Sequence, residues 1–473
     1  MIFRLLKIEI KKVFKRKSIY VIWILMLLFC FVNSFLYWRD YDDEGRYLYS
    51  EEENIEAELK TLEEEERGVP QNTDQAVLIK TKIELLKLKK SFSKDSWQYA
   101  KINDYLYGIV YEKNVHFEDS EVLARYHDLV LKFKNNDYLY FLEQEKDDVL
   151  RQITEKKEEI LESTGDVLLE KELKVEEETL DVLNYRIKNH IKEDTGYLNQ
   201  ALVGYVQARE QLKEMSKNTY SEKLAYQELK KEKEVNAFIL KSKVNYKQEN
   251  TVNALLSGIM NDYEFFFVVI ILMVSSTLIC DEYQSGTFKF LLIKPVSRFI
   301  ILLSKYFTSL LVFLFSILLI FCFQFVLGGI FFGFDSLNLG VIVYDYGLDK
   351  VLNLNIFLYF FYSFLSKMPF YLMISLISLF LGVFTASTIT SMIIPLMLSI
   401  FSSLMLDLAV SHKLYWMKYL PNFLWRFSDY LFGASSKLEG LGLLFSCIWY
   451  SIYFLILFFL VVRLFQKKDI RNM

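Results

Sequence analysis

Residues 281–298 read DEYQSGTFKFLLIKPVSR and separate two long apolar runs. The run before them is YEFFFVVIILMVSSTLIC, 263–280, and the run after them is FIILLSKYFTSLLVFLFSILLIF, 299–321. A simple connection between two spans needs fewer residues and neither the Gly-Thr pair nor the Lys-Pro pair. We therefore expect this stretch to have a function beyond joining its neighbours, and the rest of the chain indicates which.

Long apolar runs occur at the N-terminus and after Tyr263, in a chain of 473 residues that is 53% hydrophobic. A helical run of about 20 such residues crosses a hydrocarbon core of about 30 Å. The pattern predicts an all-α membrane protein with six transmembrane helices. The predicted spans are 18–38, 263–280, 300–331, 355–382, 387–410 and 441–463.

Two of these spans contain proline. Lys367 and Pro369 interrupt the fourth, so an alternative is an interfacial helix that turns inward at Met368-Pro369. Pro395 lies inside the fifth span and predicts a kink there.

The orientation follows from the distribution of Lys and Arg. Residues 1–17 contain seven Lys/Arg and one Glu, and residues 463–473 contain four Lys/Arg and one Asp. Both termini are therefore expected on the cytoplasmic side of a cell membrane, which requires an even number of spans. With six spans, residues 281–299 are also cytoplasmic and residues 39–262 are extracellular.

The first 17 residues alternate apolar and basic side chains with helical periodicity. This pattern favours an amphipathic helix in the cytoplasmic interface, with cations reaching anionic lipid headgroups. The candidate membrane-interface residues are Arg4, Lys7, Lys11 and Lys15. The alternative is a basic flank that only sets topology. A cleaved signal peptide is the alternative for the first apolar run.

Residues 39–262 form a large charged segment with 48 acidic and 34 basic residues and a single proline. Leu, Ile and Val recur at intervals of three, four and seven, as in Leu150, Ile153 and Ile160, which predicts coiled-coil-like helices. We expect an elongated extracellular helical domain between the first and second spans. Its acidity either attracts cationic ligands or only keeps an exposed domain soluble.

The chain lacks the usual motifs of nucleotide and hydrolase sites. It has no G-x-x-x-x-G-K-[ST], G-x-G-x-x-G, H-E-x-x-H or G-x-S-x-G sequence. Its four histidines lie far apart, so we expect no metal site and no catalytic residues. The candidates for buried ionisable groups in the spans are Lys305, Lys367 and Asp407, all toward span ends, and this scarcity argues against ion coupling. Any energy for transport is expected from a partner chain.

The 281–298 stretch itself predicts a short capped helix. Gly286 permits a turn with positive φ, Thr287 can cap a helix over FKFLLIK, and Pro295 ends that helix. Ser297 can then cap the third span. The apolar residues of the short helix, including Phe290 and Leu291, would face a partner with an apolar groove.

This stretch resembles the type-2 permease family of ABC (ATP-binding-cassette) transporters. The family pattern places a Glu, then Gly-Thr, a Leu-rich turn, Pro-[Val/Ile]-Ser-Arg and a later Lys. The matching residues are Glu282, Gly286, Thr287, Leu291, Pro295, Arg298 and Lys305. The resemblance covers about 1–38 and 263–473, since the long helical segment between them is not part of the common pattern. A plain basic connector between the spans is the alternative.

The resemblance implies a permease subunit of an exporter, not itself an enzyme, that pairs with a second permease chain. Two cytoplasmic ABC ATPase subunits would bind ATP and Mg, and the coupling helix at about 281–299 would contact them. The expected cargo is an amphipathic peptide, an antimicrobial or a lipid-like molecule. The composition suits a Gram-positive bacterium, and we expect no nucleic-acid partner. The alternatives are a non-transporting mechanotransmitter and a membrane-anchored toxin-binding or sensor protein.

Overall fold

A computed structural model of the chain describes residues 2–43, 47–70, 74–93, 96–111, 128–162, 167–192, 194, 196–246, 251–286 and 296–467. The structure is 83% helical. It divides into two compact units, which we call the membrane unit and the helical unit. The membrane unit contains residues 1–41, 214–235 and 246–473, and the helical unit contains residues 42–213 and 236–245.

The described helices follow one another along the chain. They are α1 Ile2–Phe14, α2 Lys17–Asp43, α3 Tyr47–Gly68, α4 Asp74–Ser91, α5 Trp97–Tyr111, α6 Tyr138–Glu162, α7 Val167–Asn189, α8 Tyr197–Glu214, α9 Tyr220–Ser242, α10 Val252–Asp262, α11 Glu264–Gln284, α12 Arg298–Phe332, α13 Ile356–Thr385, α14 Thr388–Ser411, α15 Pro421–Leu424 and α16 Leu443–Lys467. Residues 128–134 are also helical.

Six of the described helices are long and apolar enough to cross a membrane. They are Lys17–Arg39 within α2, and α11, α12, α13, α14 and α16. They coincide with the six predicted spans, so the prediction of a helical membrane protein with six spans is confirmed. The structure adds one antiparallel hairpin, β1 Val341–Asp345 with β2 Lys350–Leu354, which the sequence analysis did not predict.

The fourth span is one continuous helix, α13, with Pro369 inside it. The alternative of an interfacial helix that turns inward at Met368-Pro369 is therefore wrong. Proline removes one helical hydrogen bond, but membrane helices tolerate this where neighbours supply other partners. The Tyr450 hydroxyl on α16 donates to the Pro369 carbonyl at 3.0 Å, which ties the proline turn to the last span.

Helix α11 lies at the centre of the membrane unit. Of its most apolar 18-residue segment 67% is buried, compared with 11% for the corresponding segment of α16. Small polar side chains line the contact of α11 with α13 and the contact of α13 with α14: Ser275 Oγ lies 2.9 Å from Ser378 Oγ, which lies 3.2 Å from Ser391 Oγ. Such residues let helices approach closely and hydrogen-bond across the contact. Motion of α11 therefore affects its neighbours directly.

Helix α10 precedes α11 and packs against α12 and α13. A Cβ added to Gly328 of α12 would lie 3.3 Å from Val252, which shows how closely the two helices approach. The Asn253 side chain donates to the Gly340 carbonyl at 3.2 Å. Residues 251–262, which the sequence predicted to belong to the extracellular domain, thus group with the spans by their contacts.

In the helical unit, α6 and α7 form an antiparallel pair. Tyr138 at the start of α6 donates to the Ile191 carbonyl just after α7. Lys156 near the end of α6 pairs with Glu176 in the first half of α7 at 3.1 Å. The buried face differs from the predicted apolar pattern at one position, where Val149 is buried and Leu150 is exposed.

An aromatic core holds the helical unit together. The Phe133 and Phe141 rings lie 4.4 Å apart between centroids, and Trp97 lies 5.0 Å from Tyr138 and 5.4 Å from Phe141. The Trp97 indole donates to the Asn136 side chain at 3.0 Å. Since buried aromatic pairs contribute beyond their area, we expect this cluster to set the stability of the unit.

Replacing Phe133 with alanine should destabilise the helical unit by about 3–5 kcal/mol, because the substitution leaves a cavity in a fully buried site. Hydrogen exchange of the full-length protein, followed by mass spectrometry, should show faster exchange in α5 and α6. Leu161→Ala is the control, since Leu161 is 79% exposed on α6. Equal exchange in the two variants would contradict the assignment of this core.

Candidate functional site

The 281–298 stretch leaves α11 through a glycine turn. The Gly286 amide donates to the Tyr283 carbonyl at 3.3 Å, and Gly286 has φ +68°. A Cβ added there would meet no atom within 4 Å, so the glycine is needed for its backbone conformation and not for space. Positive φ at Gly286 agrees with the sequence prediction.

The chain enters α12 through a cap. The Ser297 hydroxyl accepts a bond from the Ile300 amide at 3.4 Å, and Ser297 has an extended backbone, as expected for an N-cap. Arg298 then donates through Nη1 to the Gln466 carbonyl near the end of α16. The end of α11 has a similar tie, because Gln284 Nε2 donates to the Ala386 carbonyl at 3.3 Å. The two ends of the stretch are thus anchored on α16 and on the turn after α13.

The centre of the predicted coupling helix falls outside the described residues. This applies to four of the predicted site residues, Thr287, Phe290, Leu291 and Pro295. The three others, Glu282, Gly286 and Arg298, are described, and each lies at one end of the stretch.

Glu282 belongs to a cluster of four charges. Lys305 is fully buried on α12, and its Nζ lies 2.7 Å from Glu282 Oε2 and 3.5 Å from Glu9 Oε2. Lys12 Nζ lies 2.7 Å from Glu282 Oε1 and 3.0 Å from Glu9 Oε1. Lys305 Nζ also donates a hydrogen bond to the Leu278 carbonyl at 2.7 Å. Two cations and two anions thus alternate around a closed ring, which we call the ion cluster.

The ion cluster is neutral as a whole, and this makes its burial possible. Taking a single charge out of water costs several kcal/mol unless a partner compensates it, and removal of one partner leaves the other uncompensated. Lys305 and Glu9 are both buried, so neither can exchange its partner for water. The ion cluster therefore links α1, α11 and α12, because each of these helices contributes at least one of its four charges.

A second ion pair links the turn after α1 to α11 beside the ion cluster. Arg16 Nη1 lies 2.9 Å from Asp281 Oδ2, and its Nη2 donates to the Thr277 carbonyl at 3.4 Å. Arg16 and Asp281 are both partly exposed, so this pair contributes less than the buried one. It nevertheless ties the turn between α1 and α2 to the last turns of α11.

The α1 helix divides its side chains between two faces. Leu5, Glu9 and Val13 are buried. The four predicted membrane-interface residues are all exposed: Arg4, Lys7, Lys11 and Lys15. The division follows the helical periodicity predicted from the sequence. The sequence prediction did not include Glu9 or Lys12. Glu9 is the only acidic residue among the first 17. A single acid in a basic amphipathic helix can indicate a buried ion pair, so this signal was present in the sequence.

The neighbouring acids raise the pKa of Lys12. Partial burial by itself would lower its pKa, but the hydrogen bonds and charges of Glu282 and Glu9 outweigh this and raise the pKa above its ordinary value. Lys12 therefore stays charged in the ion cluster throughout the neutral range.

A further ion pair lies at the opposite end of α11. Glu264, the first residue of α11, pairs with Lys367 of α13. A cavity of about 150 Å³ adjoins this pair and is also lined by Trp425, Arg426 and several serines. Among the described residues no group of His, Cys, Asp and Glu is arranged to hold a metal.

These features define a polytopic helical membrane protein whose central span carries an ion pair at each end. The chain belongs to the family described as a protein of unknown function (DUF2705), which matches residues 224–471. It is 27% identical over 201 residues to the uncharacterized protein YhcI of Bacillus subtilis (strain 168), covering 42% of this chain and 64% of that relative. The chain thus spans just under two thirds of the length of this curated relative. No solved structure matches it.

Replacing Lys305 with methionine should lower the stability of the purified protein in detergent by about 3–5 kcal/mol, because Glu9 and Glu282 would then share a single cation. The measurement is the thermal unfolding midpoint. Lys11→Met on the exposed face of α1 is the matched control. The double variant Lys305→Met/Glu282→Gln restores neutrality and should recover part of the loss. Equal midpoints for Lys305→Met and Lys11→Met would show that the ion cluster does not stabilise the fold.

The contribution of Lys12 should depend on pH. Since its pKa is raised in the folded state, its stabilising effect is fully present below the unfolded value of 10.5 and is lost as pH rises through the folded value. The difference in unfolding midpoint between the wild type and Lys12→Met should therefore be constant from pH 7 to pH 10 and shrink above that. A difference that grows with pH would contradict the pairing.

Proposed function

We propose that this chain is the membrane-spanning permease subunit of an ABC exporter. The observation that carries the proposal is the ion cluster, which joins Glu282 to α1 and α12 directly beside the 281–298 stretch. A plain connector needs no buried charges at its base. A segment that transmits movement to several helices needs contacts with them that do not break during the movement.

In this proposal both termini and the 281–299 segment are cytoplasmic, and residues 39–262 form an extracellular helical domain. The basic N-terminus and the basic tail support this orientation. The exposed cations of α1 would then contact anionic headgroups of the cell membrane. The family relative from Bacillus subtilis is compatible with a Gram-positive source.

Two cytoplasmic ABC ATPase subunits would bind ATP and Mg and contact the segment around Thr287, Phe290, Leu291 and Pro295. Their movement would reach α11 through the Gly286 turn and α12 through the Ser297 cap and Arg298. Because the charges of the ion cluster cannot separate at low cost, α1 and the adjoining ends of α11 and α12 would move as one body. A second permease chain would complete the translocation path.

The proposed cargo is an amphipathic peptide, an antimicrobial or a lipid-like molecule. The apolar surfaces left exposed on α14 and α16 are compatible with lipid or with a second permease chain. A mechanotransmitter that moves no cargo, and a membrane-anchored sensor or toxin-binding protein, are the alternatives that the experiment below must separate.

The proposal is tested by co-purification with an ATPase carrying a Walker motif, encoded beside this chain. ATPase activity of the complex in lipid vesicles should fall at least about tenfold in Glu282→Ala, which breaks the ion cluster, and in Gly286→Pro, since proline cannot adopt positive φ. Glu439→Ala is the control, because Glu439 is exposed and has no proposed role.

Purification of this chain alone, with both variants tolerated, would refute coupling and favour the sensor alternative. ATPase coupling without movement of any amphipathic peptide across the vesicle membrane would favour the mechanotransmitter.

A further inference from the structure

A cavity of about 380 Å³ lies between α7, α8 and α9 in the helical unit. Its volume falls within the usual range of small-molecule pockets, about 300–1,000 Å³. Most of the lining is apolar or aromatic: Val182, Tyr185, Leu202, Tyr205 and Val206. All of these residues belong to the helical unit, so the cavity is a feature of that unit alone.

One cation, Arg209, and one acid, Asp181, also line the cavity. Arg209 lies on α8, and within the described part of the chain its Nε and Nη2 are buried without a hydrogen-bond partner. These two nitrogens form one edge of the guanidinium, the edge that binds a carboxylate or phosphate through two parallel bonds. Buried donors are normally satisfied, so an unsatisfied pair at a cavity wall indicates a missing acceptor.

The nearest acid to Arg209 is bound mainly elsewhere. Glu178 Oε2 lies 3.8 Å from Arg209 Nη2, which is beyond hydrogen-bond distance. Glu178 instead accepts a hydrogen bond from Lys213 through its other oxygen, Oε1. Among the described residues, the guanidinium therefore has a weak ion pair and no bidentate partner.

We propose that this cavity binds a single-chain amphiphile with an anionic head, either a carboxylate or a phosphate monoester. The head would accept two bonds from Arg209 Nε and Nη2, and the alkyl chain would lie against Leu202, Val206 and Tyr205. The surrounding segment is strongly acidic, with 48 acidic and 34 basic residues in 39–262. Anions are therefore disfavoured over most of its surface, and Arg209 gives the cavity a local preference for them.

This inference goes beyond the proposed function and does not depend on it. It requires no ATPase partner and no contact with the spans. A chain that fails every coupling test could still bind the amphiphile, and a coupled exporter could lack this site. The two ideas thus fail separately.

The test uses full-length protein in amphipol and a photoactivatable fatty acid, a diazirine derivative of hexadecanoic acid. After irradiation, mass spectrometry should place saturable adducts on peptides of α7, α8 or α9. Dodecanoate and dodecyl phosphate should compete in separate arms, and the stronger competitor identifies the preferred head. Methyl dodecanoate and dodecyltrimethylammonium should compete poorly, because neither offers an anionic acceptor.

Arg209→Gln should weaken labelling of these peptides about tenfold, since charge-assisted hydrogen bonds are lost. Arg209→Lys should retain part of it, because the charge remains but the two-donor edge does not. Arg151→Gln is the matched control, an exposed arginine on α6 paired only with acids of its own helix. Ala237→Phe fills the cavity from α9 while leaving Arg209 intact, and it should also abolish labelling. This variant tests whether the cavity is the binding site if Arg209→Gln does not fold.

Three results would overturn the proposal. The first is labelling confined to the membrane spans, and the second is equal competition by the methyl ester. The third is unchanged labelling in a folded Arg209→Gln or Ala237→Phe protein, as judged by circular dichroism and gel filtration.

Discussion

The membrane unit depends on the burial of one ammonium group. Lys305 has no access to solvent, so its charge must be balanced by acids from other helices. Glu282 from α11 and Glu9 from α1 supply that balance, and Lys12 neutralises the second acid. Since an uncompensated buried charge costs far more than a surface one, this requirement determines which helices meet at this end of the bundle.

The same requirement explains the two-sided character of α1. A helix that only lay on the membrane surface would need apolar residues on one face and cations on the other. Here the inward face also carries an acid, Glu9, and a cation, Lys12, that complete the ion cluster. The helix is therefore both a surface element, through its exposed cations, and a structural part of the bundle. In the proposed exporter, a movement of Glu282 at the end of α11 would reach α1 through the ion cluster.

The helical unit is organised by different physics. Its helices pack through an aromatic core around Trp97, Phe133 and Phe141 and through lysine–glutamate pairs across the α6–α7 contact. Its cavity breaks this pattern, since it contains a guanidinium edge with no acceptor. Two units with separate cores can thus have the separate roles that we propose for them, one in ATPase coupling and one in ligand binding.

The sequence by itself determined the six spans, the amphipathic α1, the positive φ of Gly286 and the Ser297 cap, because each depends on local composition, periodicity or backbone sterics. It also selected Glu282 and Lys305, yet it could not show that they are partners of Glu9 and Lys12. Residues 270 positions apart, as Lys12 and Glu282 are, meet only when helices pack, and no local pattern records that packing. The packing of α10 among the spans, the continuity of α13 through Pro369 and the cavity beside Arg209 were likewise decided by tertiary structure, since each depends on neighbours distant in the chain.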